Sequence, residues 1–473
     1  MSAAQSAPRD LAVIGAGPGG YVAAIVAAQR GATVTLIEES ELGGTCLNLG
    51  CIPSKVFLRS GQLLQLMERA GEFGLQYEGG GFDLGAIVGR KDRVVNQFRQ
   101  GIAGLMKRNG VEVIRGRGRL TSPTAIEVTT GTGTVAVPAK HIFLAPGSVA
   151  NRLPIPGADA KEVVTSDDLV TLTDAPDSIV IIGAGAVGLE YASYFNALGT
   201  EVHVVEVMPQ VLPYEDAEIA EALTRAMKKL GVNILTSVKV KEIVADSGGR
   251  AVVCETTDGE QRLHGDLVLL GVGRGPNTKD LGLDAVGVTT DPRGYIRVGD
   301  TLQTAAANIY AFGDAVQVDG LDRHPQLAHL ASAEGKTAAW NITGAAAHFD
   351  YTAVPGPVFC LPEVASVGLN EALAKAQGIE TKVGRFLFRV NSKAAAIGEI
   401  EGLVKVVVRA GDGRLLGVQM VGPETTDLIA QATLAVSTGL TAEQIDRVIF
   451  AHPTLSEAFA EAVGDAVGHA VHK

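Results

Sequence analysis

Residues 10–20 read Asp-Leu-Ala-Val-Ile-Gly-Ala-Gly-Pro-Gly-Gly, an apolar run that enters a glycine-rich turn. The run is typical of a buried parallel strand, and an alanine-rich helix is predicted over 21–30. A second apolar run at 33–37 ends in Glu38, eighteen positions after Gly20. The stretch therefore predicts a strand, a helix and a second strand closed by an acid.

Gly15, Gly17 and Gly20 have the spacing of a dinucleotide fingerprint. Glycines let the backbone approach a pyrophosphate, and the N-terminus of the following helix favours its negative charge. An acid at the position of Glu38 accepts hydrogen bonds from ribose hydroxyls. We predict a dinucleotide here, and the alternative is a tight strand–helix turn without a ligand.

The same arrangement recurs in the middle of the chain, where 178–182 and 201–205 are the two apolar runs. The glycines of this second turn are Gly183, Gly185 and Gly188. Glu206 follows eighteen positions after the last of them, and its carboxylate would repel the 2′-phosphate of NADP. Two units predict two dinucleotides, with NAD at the second, unless a duplicated domain has lost its ligand.

Size and composition fit this prediction. The chain has 473 residues, 46% of them hydrophobic, and 58 glycines, which predicts soluble α/β material in two to four domains. The net charge of -12 argues against a nucleic-acid partner, because binding to a phosphate backbone needs clustered Lys and Arg.

The sequence favours a cytoplasmic setting. No apolar run approaches the roughly 18 residues of a membrane span, and residues 1–10 have no export pattern, although a processed precursor would look the same. Four cysteines are too few for a secreted disulfide framework. Cys254 and Cys360 are expected to be inert packing residues, and no metal site is predicted.

The segment 43–55 carries the other two cysteines, Cys46 and Cys51. In a regular helix, five positions would separate them by about 7.5 Å along the axis, too far for ordinary disulfide geometry. A bridge would need distorted backbone, which Gly43 and Gly44 permit. We interpret the two cysteines as a redox pair, and the alternative is two buried thiols that happen to be near each other.

The segment reads Gly-Gly-Thr-Cys-x-Asn-x-Gly-Cys-x-Pro-Ser-Lys and resembles the active-site segment of the class I pyridine nucleotide-disulfide oxidoreductases. Its ending, Ile-Pro-Ser-Lys, is most similar to the members that oxidise dihydrolipoamide. The resemblance covers nearly the whole chain and implies FAD at the first fingerprint and NAD at the second. It also implies two Rossmann-like domains plus a C-terminal α+β dimerisation domain, and therefore a homodimer. The implied domains are 1–150 for FAD, 151–272 for NAD, 273–348 completing the FAD site, and 349–473 for the interface.

Several single residues match motifs of that family. Gly118, like Gly116 shortly before it, lies in a segment that resembles one contacting the FAD adenine in the family. Gly273 lies in a segment that resembles the family's link back to the flavin domain. Asp314 ends a second flavin motif and is expected to bind a ribityl hydroxyl, while Ala328 is expected to contact the flavin through its backbone.

The resemblance also assigns charged residues. His452 and Glu457 match the base segment of the family, with Glu457 orienting the imidazole. Lys55 is expected near the flavin, and Glu190 is expected to pair with it; either could instead be a plain surface charge. Pro146 departs from the usual Thr and removes a hydroxyl and an N–H.

The implied reaction is the oxidation of protein-bound dihydrolipoamide with reduction of NAD⁺ to NADH. A dithiol deprotonated by His452 would attack Cys46, and Cys51 would then pass electrons to FAD. The implied partners are the lipoyl domains of 2-oxo acid dehydrogenase or glycine cleavage complexes.

An alternative is reduction of glutathione disulfide or of mercuric ion, as in other members of the family. Against these, Ala186 stands where the glutathione enzymes have an aromatic residue, and the tail 465–473 has no cysteine. A flavin-bearing scaffold without turnover is a further alternative.

Local patterns give the remaining elements. Residues 61–110 are predicted to be largely helical. The positions expected in the core of this region are Leu63, Leu64, Met67, Val94, Val95, Phe98, Ile102 and Leu105. In the last domain the predicted strands are 386–389, 403–408 and 416–420, and the predicted helices are 425–438 and 442–448.

Overall fold

The computed structural model of the protein describes residues 7–257 and 259–472. Contacts divide the chain into two compact units, each assembled from separate segments. The first unit contains the chain up to Val56, Ala86–Asn151 and Arg274–Asp350. The second contains Phe57–Gly85, Arg152–Gly273 and the chain from Tyr351. The four domains implied by the sequence are a finer division and stay a prediction.

Helices are interspersed among runs of strands along the chain. The strands are β1 (Arg9–Ile14), β2 (Val34–Glu38), β3 (Glu112–Arg115), β4 (Arg117–Ser122), β5 (Ala125–Thr130), β6 (Gly133–Leu144), β7 (Ser148–Ala150), β8 (Val163–Thr165), β9 (Ser178–Ile182), β10 (Glu201–Val205), β11 (Asn233–Leu235), β12 (Lys239–Asp246), β13 (Gly249–Thr256), β14 (Gly259–Gly265), β15 (Leu267–Leu270), β16 (Arg274–Pro276), β17 (Ile296–Val298), β18 (Ile309–Ala311), β19 (Val316–Val318), β20 (Gly356–Val358), β21 (Glu363–Gly368), β22 (Thr381–Leu387), β23 (Leu403–Arg409) and β24 (Leu415–Gly422). The helices are α1 (Pro18–Gln29), α2 (Gly44–Asn48), α3 (Cys51–Glu68), α4 (Leu84–Arg108), α5 (Ser166–Leu169), α6 (Ala186–Ala197), α7 (Ala217–Lys229), α8 (Ala328–Ile342), α9 (Glu371–Ala376), α10 (Ser392–Ile397), α11 (Thr425–Thr438), α12 (Ala442–Asp446) and α13 (Glu457–Val467).

The first unit is built on a sheet of order β3-β2-β1-β6-β5-β4, with β18 also paired to β6. The strands β3, β2, β1, β6 and β18 run parallel, whereas β4 and β5 form antiparallel pairs. Ile14 lies opposite both Ile37 and Leu144, and Ala311 also lies opposite Leu144. The segments that follow β1, β2, β6 and β18 therefore leave the sheet at one edge, where ligands bind in open α/β sheets.

Two helices of this unit, α1 and α8, pack unusually closely. A Cβ on Gly335 would lie 2.6 Å from the carbonyl oxygen of Gly19, and one on Gly19 would lie 3.0 Å from that of Ala331. Side chains at these positions would push the helices apart. The two glycines thus bring the N-terminal ends of both helices to the same region of the unit.

The second unit contains a parallel sheet of order β11-β10-β9-β15-β8 and an antiparallel sheet of order β12-β13-β14. A further antiparallel sheet has the order β20-β21-β24-β23-β22. The core of this last sheet is apolar, with Val404, Val406 and Met420 among residues of α11 and α13 such as Ile429 and Phe459. An antiparallel sheet packed against helices is the α+β arrangement that the sequence implies for the C-terminal dimerisation domain.

A charged cluster lies within the second unit. Lys405 on β23 is only 5% exposed, and its Nζ lies 2.9 Å from Asp216, 3.1 Å from Glu371 and 3.3 Å from Glu218. Asp216 also caps α7 by accepting a hydrogen bond from the Glu218 N–H at 3.0 Å. Burial favours the neutral amine, but the hydrogen bond and charge of Asp216 outweigh it and raise the pKa of Lys405.

The helical prediction for 61–110 is confirmed by α3 and α4, and Val95 and Ile102 are buried as expected. The core assignment is wrong for Leu63, Met67 and Phe98, which are exposed. Helical spacing identifies the apolar face of a helix but not whether another part of the same chain covers that face.

In the last domain, α11 spans the predicted residues, and α12 ends two residues earlier than predicted. The strand predicted at 386–389 is the end of β22, and the chain turns at Phe388–Val390 into a 3₁₀-helix. Among the residues described, no helix combines the length and hydrophobicity that a membrane crossing requires.

Candidate active site

The turn after β1 is shaped by its glycines. Gly15 has φ +98°, and a Cβ there would lie 2.1 Å from the carbonyl oxygen of Ala145. A Cβ on Gly20 would lie 1.8 Å from the carbonyl oxygen of Gly15. At Gly17, by contrast, the nearest atom to a Cβ would be 3.9 Å away. The first and third glycines therefore allow the tight turn, and the middle one leaves room at the start of α1 for an anionic group.

Glu38 closes this turn from the end of β2. Its Oε2 accepts the Ala16 N–H at 2.7 Å and its Oε1 accepts the Ser40 N–H at 2.8 Å. Burial raises the pKa of Glu38, and the two backbone hydrogen bonds oppose that effect. Each carboxylate oxygen can accept a second hydrogen bond, so the capacity for ribose hydroxyls remains.

A cavity of about 60 Å³ opens beside Gly15 and Glu38. Its lining includes Gly116, Gly118 and Pro146. The structure thus brings together the predicted glycine at 118, the first fingerprint and its acid. Pro146, where the sequence departs from the family, lines the same cavity.

Asn277, which the sequence did not single out, fixes the loop around Pro146. Its Nδ2 donates to the Pro146 carbonyl at 3.2 Å, and its backbone N–H donates to the Gly147 carbonyl at 3.0 Å. Asn277 also lines the cavity. The loop is therefore held through its carbonyl groups, which a proline retains.

The second fingerprint repeats the geometry of the first. Gly183 has φ +108°, and a Cβ on Gly188 would lie 2.0 Å from the Gly183 carbonyl oxygen. A Cβ on Gly185, at the N-terminus of α6, would point into open space. Glu206 accepts the Ala184 N–H at 2.8 Å through Oε2 and the Met208 N–H at 2.8 Å through Oε1. Both turns therefore have a constricted base and an open middle position.

The cysteine segment docks on the first fingerprint. The Gly43 N–H donates to the Ala16 carbonyl at 2.9 Å, and a Cβ on Gly44 would lie 2.6 Å from the Cα of Gly17. Gly43 and Gly44 have φ of +97° and +57°. Cys46 lies in α2, which ends at Asn48, and Cys51 begins α3. The expected interruption of regular helix between the two cysteines is confirmed.

None of the four cysteines forms a disulfide in this structure, and Cys46 and Cys51 are both half-buried. The hydrogen bond with Cys51, together with burial, raises the pKa of the Cys46 thiol, and the positive charge of Lys55 opposes this. Asp314 raises it further. Three predicted residues, Cys51, Lys55 and Asp314, therefore act electrostatically on Cys46. Cys254 is buried as expected, and burial raises its pKa to about 11.

Asp314 follows β18 in a 3₁₀ turn at the same sheet edge as Gly15. Its Oδ2 accepts the Ser148 hydroxyl at 2.6 Å, and Arg274 Nε donates to that hydroxyl oxygen at 2.9 Å. Burial raises the pKa of Asp314 despite the Ser148 hydrogen bond. Ser148 and Arg274 lie in segments that resemble the family, but the sequence assigned neither residue a role.

Three further residues, Ala328, Gly273 and Glu190, are predicted from the sequence to lie at the cofactor sites. Ala328 is the first residue of α8, so its N–H is among those that the helix leaves for another acceptor. Gly273 has φ +85° and lies between β15 and β16. Glu190 lies on α6, and its Oε1 accepts the Phe359 N–H at 3.1 Å within the second unit. Its pairing with Lys55 stays a prediction.

His452 and Glu457 form a pair at the start of α13. His452 Nδ1 lies 2.8 Å from Glu457 Oε1, and Glu457 Oε2 accepts the Thr454 N–H at 2.8 Å. Burial opposes the effect, but these two hydrogen bonds lower the pKa of Glu457. With Nδ1–H donating to the carboxylate, Nε2 of a neutral ring is the acceptor. The His452 side chain is 72% exposed, so this nitrogen is accessible as a proton acceptor.

Comparison with known proteins identifies relatives along nearly the whole chain. Residues 9–335 match the family model described as pyridine nucleotide-disulphide oxidoreductase, and 354–463 match the dimerisation domain of the same family. A dihydrolipoyl dehydrogenase of Chlamydia muridarum is 41% identical, over 98% of this chain and 98% of that protein. A leghemoglobin reductase of Glycine max is 40% identical, over 97% of this chain and 88% of that protein. The crystal structure of LpdA from Mycobacterium tuberculosis superposes with a TM-score of 0.87 at 29% identity, over 96% of this chain and 98% of that one.

Proposed function

The chain belongs to the pyridine nucleotide-disulphide oxidoreductase family, and we propose that it is a dihydrolipoyl dehydrogenase that oxidises protein-bound dihydrolipoamide to lipoamide while NAD⁺ is reduced to NADH. The observation that carries this proposal is the closeness of Cys46 and Cys51 in a segment docked on a dinucleotide fingerprint. Full-length relatives named dihydrolipoyl dehydrogenase support the choice of substrate.

The residues of both fingerprints fit the cofactors of the family, FAD and NAD. In each turn the middle glycine leaves space at a helix N-terminus, and an acid with spare acceptor capacity lies beside it. The first turn, its cavity and Asp314 would hold FAD; the second turn and Glu206 would hold NAD⁺. When bound, FAD supplies a two-electron acceptor and NAD⁺ the final hydride acceptor.

The cysteines would perform the exchange of sulfur bonds. Starting from a Cys46–Cys51 disulfide, a substrate thiolate attacks Cys46, so that a substrate–Cys46 bond forms and the Cys46–Cys51 bond breaks. The second substrate thiol then attacks the mixed disulfide, which closes the lipoamide disulfide and releases Cys46. The substrate loses two electrons, and the cysteine pair gains them.

The His452–Glu457 pair would supply the base. Glu457 fixes the ring through Nδ1, and Nε2 takes the proton of the attacking substrate thiol. The carboxylate then stabilises the imidazolium that forms, as in other enzymes in which an acid orients a catalytic histidine. The pair also gives the proton a defined place until it returns to a leaving thiolate.

Glu206 would set the preference for NAD⁺. Its two oxygens face the backbone N–H groups of Ala184 and Met208, which holds the carboxylate in the turn. A 2′-phosphate next to this charge would be repelled. Comparison of KM for NAD⁺ and NADP⁺ tests the point, and a clear preference for NADP⁺ would contradict it.

The proposed assembly is a homodimer. The match of 354–463 to the dimerisation domain of the family supports it, and light scattering of the purified protein measures it. The proposed protein partners are lipoyl domains of 2-oxo acid dehydrogenase or glycine cleavage complexes, and the proposed location is the cytoplasm.

The central experiment measures NADH formation from dihydrolipoamide together with FAD content. Cys46→Ser is expected to abolish turnover while FAD stays bound, because serine cannot form the mixed disulfide. Cys254→Ala, which alters a buried thiol in the core of the second unit, is the control and should retain turnover. Turnover by Cys46→Ser would exclude the assigned role, and no turnover by the FAD-loaded wild type would favour a scaffold.

A further inference from the structure

The buried carboxylate of Glu334 contacts the turn that carries Asp314 and has no role in the reaction described above. Glu334, on α8, is 0% exposed, and its Oε2 accepts the Gly313 N–H at 2.8 Å. Gly313 has φ +76° and starts the 3₁₀ turn that presents Asp314. Glu334 therefore binds the backbone immediately before the residue predicted to hold FAD.

His324 occupies the other oxygen of Glu334. Its Nε2 lies 2.6 Å from Oε1, and the His324 side chain is 3% exposed. A fully buried carboxylate costs free energy unless it is paired and hydrogen-bonded. Here both oxygens have partners, so the pair forms a rigid connection between α8 and the turn at Gly313.

The pair also acts on Asp314 itself. Burial raises the pKa of Asp314, and the charge of Glu334 adds to this effect, whereas the charge of His324 opposes it. Gln326, two residues after His324, donates from Nε2 to the Asp314 carbonyl at 3.3 Å. The turn that carries Asp314 is thus held from the segment 324–334 at two backbone groups.

We propose that Glu334 and His324 are positioning residues that hold the Gly313–Asp314 turn, and through Asp314 set the affinity for FAD. The inference rests on the part of the proposed function that assigns Asp314 to FAD. Without the Glu334 carboxylate, the Gly313 N–H loses its partner in a buried turn, and the left-handed conformation of Gly313 is free to relax. Asp314 would then lose the orientation that Ser148 and the turn now impose.

The test measures the FAD dissociation constant of the full-length protein, with flavin fluorescence as the readout. Glu334→Gln is expected to weaken FAD binding about tenfold or more, because a hydrogen bond to a charged acceptor is lost or weakened. Glu363→Gln is a control, since Glu363 is a half-buried carboxylate that also accepts a backbone N–H, from Thr426 at 3.0 Å, in the second unit. The control should leave FAD affinity unchanged.

A double-mutant cycle separates positioning from a general structural role. In an Asp314→Asn background, Glu334→Gln should weaken FAD binding less than threefold further, because its effect passes through Asp314. Independent, multiplying effects would overturn the inference. His324→Leu gives a second measure if Glu334→Gln does not fold, and it should show the same dependence on Asp314.

The result is independent of the proposed substrate. FAD binding is measured without dihydrolipoamide, so absence of turnover in the wild type would refute the proposed reaction and leave the coupling between Glu334 and Asp314 intact. Unchanged FAD affinity in both Glu334→Gln and His324→Leu would refute the positioning role, whatever the turnover.

Discussion

Glu457→Gln changes the catalytic pair by one charge and almost no volume. In the wild type, one carboxylate oxygen accepts from His452 Nδ1 and the other accepts from the Thr454 N–H, both at 2.8 Å. A glutamine side chain has only one oxygen, so one of the two donors must face its NH₂ group. The variant therefore loses one hydrogen bond as well as the negative charge.

The expected loss follows from that contact. A hydrogen bond to a charged group contributes about 1.5–3 kcal/mol, which corresponds to a roughly 10- to 150-fold lower kcat/KM. The His452 side chain is 72% exposed, and solvent weakens the interaction, so a value near the lower end is expected. We expect kcat/KM for dihydrolipoamide to fall about 10- to 30-fold, with FAD content unchanged.

The same helix offers a matched control. Glu461 Oε1 lies 2.7 Å from His472 Nδ1, and its Oε2 also accepts backbone N–H groups. Glu461→Gln therefore makes the same chemical change in a second His–Glu pair of α13, and kcat/KM should stay within twofold of wild type. If Glu457→Gln keeps more than half of the wild-type kcat/KM, Glu457 does not orient the base.

Three further predictions concern binding and stability. Lys405→Met should destabilise the protein by about 3–5 kcal/mol, because it leaves a buried carboxylate without its cation; urea denaturation measures the change. Gly20→Ala should lower FAD content at purification, because its Cβ would meet the Gly15 carbonyl oxygen at 1.8 Å. The hydrogen bond from Lys140 holds the pKa of Asp10 well below its ordinary value, so Asp10 should stabilise the fold fully above about pH 4 and progressively less as the pH falls further. Asp10→Asn removes this contribution, so the difference in the free energy of unfolding between wild type and variant should shrink below about pH 4.

Each prediction has a control. Lys229→Met removes an exposed ion pair with Glu401 and should cost less than about 1 kcal/mol. Adding Asp216→Asn to Lys405→Met should recover part of the loss, since the stranded charge is gone. Gly71→Ala, where a Cβ would meet no atom within 4 Å, should keep normal FAD content.

The outcomes that would contradict these predictions are equally direct. Lys405→Met as stable as Lys229→Met would mean that the buried cluster contributes no more than a surface pair. Full FAD content in Gly20→Ala would mean that the turn opens without consequence. A stability gap between Asp10→Asn and wild type that stays constant from pH 7 to pH 3 would contradict the lowered pKa.

Much of the candidate site could be predicted because its patterns are local. Each fingerprint lies in one strand–turn–helix stretch, and the spacing to Glu38 or Glu206 follows from the length of one helix and one strand. The cysteine segment needs only its own glycines to leave regular helix, and the structure has that break. Residues close in sequence are constrained by the same backbone geometry, so their arrangement follows from the pattern.

Other features depended on tertiary structure. Arg274, Ser148 and Asp314 form one chain of hydrogen bonds across 126 and 166 positions, and no local pattern predicts these contacts. In the sequence Glu334 is one acid in a helical stretch, and only the packing of α8 beside the turn at Gly313 shows that it binds that turn.

The amino-acid sequence by itself determined two dinucleotide turns, a cysteine pair and a histidine–acid pair, since each is written within a short stretch of backbone. Only the tertiary structure decided which side chains surround Asp314. It also decided that apolar residues such as Leu63 and Phe98 are not covered by other parts of the same chain. The physical reason is that burial and long-range hydrogen bonds depend on which elements become neighbours, and that choice is a property of the whole fold.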